Sequence, residues 1–427
     1  MADGGSPLSL VLYRAAAAGL EPFARGLLRQ RALRGKEDGA RLEERLGSAS
    51  RARPDGGLVW LHAVSVGESQ SALPLIERLC AARPDLGVLV TSGTVTSAAL
   101  LARRLPPGAI HQYAPLDTPA SARRFLDHWR PDLAVFIESE IWPNLILGAR
   151  ARGAKLALLS ARITRKTANG WARAAAGARR VLGAFDLVLP QDEASAQRLA
   201  YFGVEAPGRL NIKLAGAALP CEAEALSGLK AAIGARPVVL AASTHEGEES
   251  IIATAAMTAI REAAPGALLI VVPRHPERGA AAAAAIGTGH GPLARRSLGE
   301  TVGPRTAVYV ADTLGELGLF FRLADVVVMG GSFVPAIGGH NPMEPARLAA
   351  PVISGPEVFN SAEVYAALAQ EGGAALVEGP GQLSTVLAGL LAAPEEARAM
   401  GLRGQAFAES QAAALEAAWA RLETLLP

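Results

Sequence analysis

The chain has 427 residues, half of them hydrophobic and 19% charged, with a formal net charge of +2. Such a length exceeds what one hydrophobic core organises and predicts two domains. The apolar fraction excludes large-scale disorder, and the small net charge excludes whole-surface attraction to nucleic acid. The two cysteines, Cys80 and Cys221, lack partners at metal-ligand spacing and form no disulfide framework, in keeping with a reducing compartment.

Residues 1–47 are expected to form a helical segment that associates with a membrane. Arg14, Glu21 and Arg25 interrupt its apolar run before the roughly 20 residues needed to span a bilayer. Asp3 stands where a secretory leader carries positive charge. Leu8, Val11, Leu12, Leu20, Phe23, Leu27 and Leu28 supply apolar faces of interrupted helices, and Arg29, Arg31, Arg34 and Lys36 follow them. That is the pattern of a segment lying on anionic lipid. An ordinary amphipathic helix packed on the protein is the alternative reading of the same residues.

Beyond residue 50, short apolar runs alternate with Ala- and Leu-rich helical segments. The expected strands of the first half start at Val59, Gly87, Leu133, Lys155 and Leu187, and those of the second half at Pro237, Ala267, Ala307, Asp325 and Pro351. Continuous apolar strands separated by helices predict parallel sheets covered on both faces, hence an α/β chain of two Rossmann-like, doubly wound domains facing a cleft. The domains are placed at 48–210 and 237–410, with a linker at 211–236 and a helical tail at 411–427 that could return to the first domain.

In open α/β sheets, ligands sit beyond the carboxyl ends of the strands. After the first strand comes HAVSVGES, His62 to Ser69, where Gly67 allows close backbone approach and Glu68 stands near a helix N-terminus. A carboxylate there suits a general base, and equally a helix cap. FIESEIWPN, Phe136 to Asn144, ends another strand with Glu138 and Glu140 alternating, so both are expected on one side. Acids at a buried strand end need a cationic partner or a catalytic role. NIKLAG, Asn211 to Gly216, offers Lys213 as a cation for a leaving phosphate.

Four more polar loops follow strands of the second half: ASTHEGEE from Ala242, VPRHPER from Val272, DTLGEL from Asp312 and MGGSFVPAIGGHNPMEP from Met329. They are expected to converge on one crevice. Gly338 and Gly339 free the backbone, Asn341 caps, Pro342 suits a first helical turn, and Glu344 follows early enough to take ribose hydroxyls. No Asp-x-Asp pair is present to hold a divalent cation on a diphosphate, and His62, His245, His275 and His340 are not at zinc spacing. Neither a metal nor a cofactor is therefore expected.

Together, HAVSVGE, ESE-WPN, NIK, THEGEE, PRHPER, GEL and GGHNPMEP closely resemble the bacterial Kdo (3-deoxy-D-manno-octulosonic acid) transferase family, in the family's order and at comparable separations. The resemblance implies a GT-B fold and inverting, metal-independent transfer of Kdo from CMP-Kdo to the lipid A precursor (lipid IVA) in lipopolysaccharide core biosynthesis. It implies Glu68 as general base, with Glu138 and Lys213 stabilising the transition state. CMP contacts are implied at Arg274, His275, Gly315, Glu316, Leu317, Asn341, Pro342, Met343 and Glu344. On this reading 48–210 takes the acceptor and 237–410 takes CMP-Kdo. The expected place is the cytoplasmic face of the inner membrane, held there through residues 1–47 and anionic lipid. A sugar-nucleotide epimerase of the same fold and a noncatalytic binding protein are the rival classes.

Overall fold

The computed structural model describes residues 6–216 and 218–427. Asp3, part of the expectation about a leader, and Ala217, within the expected linker, lie outside them. The chain divides into two compact units, Met1–Gly216 with Ala413–Pro427, and Ala217–Ala412.

The first unit is built on β1 (Leu58–His62), β2 (Gly87–Ser92), β3 (Ala109–Tyr113), β4 (Leu133–Ile137), β5 (Lys155–Ala161) and β6 (Leu187–Pro190). They pair in parallel in the order β3-β2-β1-β4-β5-β6. Side chains alternate across a strand, so a run apolar at every position feeds two cores. Trp60, Phe136, Leu156 and Leu158 pack on one face with Phe125, Trp129 and Ile146. Val59, Leu61, Val135 and Leu159 pack on the other with Ile76, Leu79, Trp419 and Leu422. Winding reverses between β1 and β4, and their register pairs His62 with Phe136, so the loops leaving these two strands are neighbours.

The second unit has β7 (Val238–Thr244), β8 (Leu268–Pro273), β9 (Leu293–Arg295), β10 (Val308–Val310), β11 (Val326–Met329), β12 (Val352–Ser354) and β13 (Ala374–Leu376). Their order is β13-β12-β11-β7-β8-β10-β9, again parallel. The strands that carry the four polar loops, β11, β7, β8 and β10, are therefore consecutive in the sheet.

The structure differs from the sequence expectations at the margins. Three strands went unexpected: β3 is an edge strand carrying His111 and Gln112, and β9 and β13 are edge strands of three residues. The stretch 211–236 is not a bare linker. Ala223–Ile233 is a helix, and Leu229 and Ile233 join the second unit's core. The tail is the end of one helix, Pro394–Glu423, whose Trp419 lies under the guanidinium of Arg78, 4.6 Å from the ring centre.

The apolar residues expected on interrupted helices all lie on one helix, Leu8–Leu33, which is followed by the short helical turns Gly39–Arg41 and Leu42–Arg45. Leu10, Ala24 and Leu28 are buried, and the Tyr13 hydroxyl donates to Asp117 at 2.8 Å. Leu8, Leu12, Leu20, Phe23 and Leu27 are exposed, at 57–73% of their surface. At 3.6 residues per turn these five share one sector, roughly 120° wide, beside the buried one. No helix among the described residues is long and apolar enough to cross a membrane.

Candidate active site

In the first unit the loops after β1 and β4 gather the acids. Ser65 caps the helix Val66–Ala82 and Glu68 closes a reciprocal capping box with it. Glu68 Oε2 accepts from the backbone N–H groups of Val64 at 2.7 Å and Ser65 at 3.3 Å. Its other oxygen, Oε1, takes no part in those bonds. The cap expected of this residue is present, and the carboxylate retains one oxygen for other chemistry. Burial pushes the Glu68 carboxyl above the usual range, the charge of Glu138 adds to that, and the two backbone bonds oppose it. A raised carboxyl is a stronger base once ionised.

Glu138 is buried and adopts a left-handed φ of 58°, which ends β4 and turns the chain away. Non-glycine residues in this region are strained by order 1–3 kcal/mol and persist where the surroundings fix them. The strand ends at Ile137, so Glu138 and Glu140 do not sit on an extended strand end, but their carboxylates lie within electrostatic reach of each other and of Glu68. Glu138 Oε1 meets Lys213 Nζ at 2.7 Å. Lys213 is held by its neighbours: Leu210 and Ile212 are buried in the core, and the Ile212 N–H donates to Ser160 Oγ at 3.3 Å. Glu138 and Lys213 thus form one ion pair, 75 positions apart in the chain.

Glu140 accepts from Trp142 Nε1 at 2.6 Å, and its Oε2 lies 3.9 Å from Nε2 of buried His62. Burial first, then the charge of Glu68, push its carboxyl up to about 7. His62 is driven down to about 3 by burial and is neutral. Its Nδ1 pairs with Thr91 Oγ1 at 2.8 Å, while Nε2 has no hydrogen-bond partner. Sequence reasoning considered His62 only as a metal ligand; the signal was its place at the last position of an otherwise apolar strand.

In the second unit a fully buried acid, Glu248, bolts two loops together. Its carboxylate accepts from the N–H groups of Gly331 at 2.5 Å, His245 at 2.8 Å and Phe333 at 3.3 Å. A Cβ at Gly330 would stand 2.5 Å from the Ser243 carbonyl oxygen, so glycine is required by this close approach. Glu249 pairs with Arg278 at 2.7 Å, and the Arg274 N–H donates to the Thr244 carbonyl at 2.9 Å, joining the β7 and β8 loops. His245 and His340 stack, with their Nε2 atoms 2.8 Å apart, so one ring donates and the other accepts. Burial lowers both, His340 to about 4.

The expected nucleotide contacts fall into three groups. Arg274 and His275 are exposed, as is Gly315, whose φ is 82° and beside which the backbone is open. Glu316 is occupied by Arg296, whose Nε lies 2.7 Å away, and by Thr313 Oγ1; Leu317 begins the next helix and packs on the core. Asn341 Oδ1 accepts from the Met343 N–H at 3.0 Å; Pro342 and Met343 are buried, and Asn341 and Glu344 are half-buried. Burial raises the Glu344 carboxyl, opposed by the charges of Arg347 and Arg274. Glu248 escaped sequence reasoning because its three donors come from residues up to 85 positions away.

The family described as 3-Deoxy-D-manno-octulosonic-acid transferase (kdotransferase) matches residues 40–215. The 3-deoxy-D-manno-octulosonic acid transferase of Bordetella pertussis is 38% identical over 315 residues, 71% of this chain and 72% of that protein. A solved C-terminal CMP-Kdo binding domain of WaaA from Acinetobacter baumannii is 31% identical, covering 43% of this chain and 96% of that one, with a TM-score of 0.41. Acinetobacter baumannii MurG is 12% identical and covers 82% of this chain and 94% of that one with a TM-score of 0.51, a likeness of fold.

Proposed function

Because the chain belongs to the 3-deoxy-D-manno-octulosonic acid transferase family, we propose that it transfers Kdo from CMP-Kdo to the lipid A precursor, a step of lipopolysaccharide biosynthesis. It is a glycosyltransferase of GT-B fold, and membership of the transferase family, rather than the fold, sets aside the epimerase and the noncatalytic binding protein. The observation that carries the mechanism is that Glu68, after β1, and the Glu138–Lys213 ion pair, after the neighbouring strand β4, lie within electrostatic reach of each other.

In this reading Glu68 Oε1 takes the proton of a glucosamine hydroxyl as that oxygen bonds to the anomeric carbon of Kdo. The bond from that carbon to the CMP phosphate oxygen breaks on the opposite side, its electron pair leaving with CMP, and the configuration inverts. Glu138 orients Lys213, whose ammonium offsets negative charge in the transition state. The loops after β7, β8, β10 and β11 take CMP, with Arg274 and His275 toward the phosphate and Glu344 toward the ribose. A monophosphate leaving group carries less charge than a diphosphate, which supports transfer without a divalent ion.

The outer sector of the helix Leu8–Leu33 supports attachment to the inner membrane at its cytoplasmic face. Its exposed leucines and Phe23 would enter the lipid boundary, and Arg29, Arg34 and Lys36 would meet anionic headgroups. Incubation with CMP-Kdo and lipid A precursor, read by mass spectrometry, tests the function: addition of Kdo is expected, and an unchanged precursor with intact CMP-Kdo overturns it.

A further inference from the structure

A cavity of about 330 Å³ lies in the first unit beside the acid cluster, between the helix Leu8–Leu33, the segment Ile141–Pro143 and the pair of helices Arg165–Ala172 and Ala175–Leu182. Leu10, Ile141, Trp142, Trp171, Val181 and Leu182 line it, and none of its twelve lining residues is charged. Its volume falls at the lower end for small-molecule sites, roughly 300–1,000 Å³. Ala174, Gly177 and Ala178 form part of its wall, and a Cβ at Gly177 would stand 2.4 Å from Ser9 Oγ, so glycine there lets the helix Ala175–Leu182 approach the helix Leu8–Leu33 closely.

We infer that this groove holds one acyl chain of the acceptor glycolipid, an inference that rests on the acceptor reading above. Two observations set the occupant. At one end, Trp142 lines the groove and donates from Nε1 to Glu140, so a chain seated there is tied to a sugar at the acids. Along its length, the helix that forms one wall through Ser9, Leu10 and Tyr13 turns Leu8, Leu12, Leu20, Phe23 and Leu27 outward. The wall of the groove and the apolar outer face are adjacent sectors of the same helix. The groove and the exposed apolar face therefore belong to one helix, Leu8–Leu33. The Tyr13 hydroxyl is satisfied by Asp117, which also accepts from the N–H groups of Asn144 at 3.0 Å and Leu145 at 2.8 Å. This network fixes the helix against the segment that follows Trp142, so the wall is rigid where the chain enters.

The test uses the full chain in mixed micelles, with an acylated acceptor and its deacylated counterpart. Ala178→Phe places a ring in the groove and touches none of the acids. Each methylene excluded from an apolar site costs about fourfold in affinity, so displacing two is expected to raise KM for the acylated acceptor about fifteenfold. The KM for CMP-Kdo and turnover of the deacylated acceptor should stay within twofold. In parallel, an acceptor with a diazirine in its acyl chain should label Trp142, Trp171 or Val181 of the unaltered protein. Equal KM changes for both acceptors, no change for either, or labelling confined to Leu12 and Phe23 overturns the groove assignment. Should Ala178→Phe fail to fold, the labelling decides alone. Failure of the acceptor reading is distinct: the unaltered protein would then transfer Kdo to neither acceptor.

Discussion

Replacing Glu140 by Gln tests the electrostatics of the acid cluster through stability. The carboxyl is raised from 4.5 to about 7, by burial first and then by the charge of Glu68. Between those values the folded protein holds a proton that the unfolded chain has released, so stability falls as pH rises through the window. At about 1.36 kcal/mol per unit, the penalty is fully developed above pH 7 at roughly 3 kcal/mol. Gln mimics the protonated acid and its carbonyl still accepts from Trp142 Nε1, so Glu140→Gln should match the parent near pH 4.5 and exceed it by up to roughly 3 kcal/mol at pH 8. Urea titrations of both proteins at pH 4.5, 6 and 8 supply the comparison. A difference that does not grow with pH, or a parent that is the more stable at pH 8, refutes the reasoning.

CMP should bind with unchanged affinity in a strong chelator; loss of binding that magnesium restores, measured by calorimetry, contradicts metal-independent binding. Deleting residues up to Arg34 would strip Leu10, Ala24 and Leu28 from the core, so membrane attachment is better tested on the outer face. Leu12→Glu with Phe23→Glu should release the protein from anionic liposomes in a flotation assay without lowering its melting temperature, whereas added salt should weaken the parent's attachment only partly. Undiminished flotation of the double variant places the membrane contact elsewhere.

The legible part of this chain was what local sequence encodes. The ten expected strands announced themselves as largely apolar, buried runs; β3, β9 and β13 did not, since β3 carries His111 and Gln112 and β9 and β13 are three-residue edge strands with exposed or half-buried positions. Glu68 was visible as a helix-start acid after a strand, and the cap expected of it is present. The pairing of Glu138 with Lys213 was not, because ionic partners 75 positions apart are chosen by the winding of the sheet. Nor was the turn at Glu138, since a left-handed φ at a non-glycine residue leaves no compositional mark. The helix Leu8–Leu33 showed its apolar content in sequence, but which leucines face the core and which face outward depends on what Tyr13 and Leu10 dock against.

The central claim is that Glu68 is the base. Glu68→Gln keeps an oxygen able to accept from the Val64 and Ser65 N–H groups, so the helix start and CMP affinity should survive. With CMP-Kdo and lipid A precursor both saturating, turnover should fall at least about a hundredfold, the lower end of what a general base contributes. Turnover within a few-fold of the parent would show Glu68 to be a helix cap alone and contradict the account.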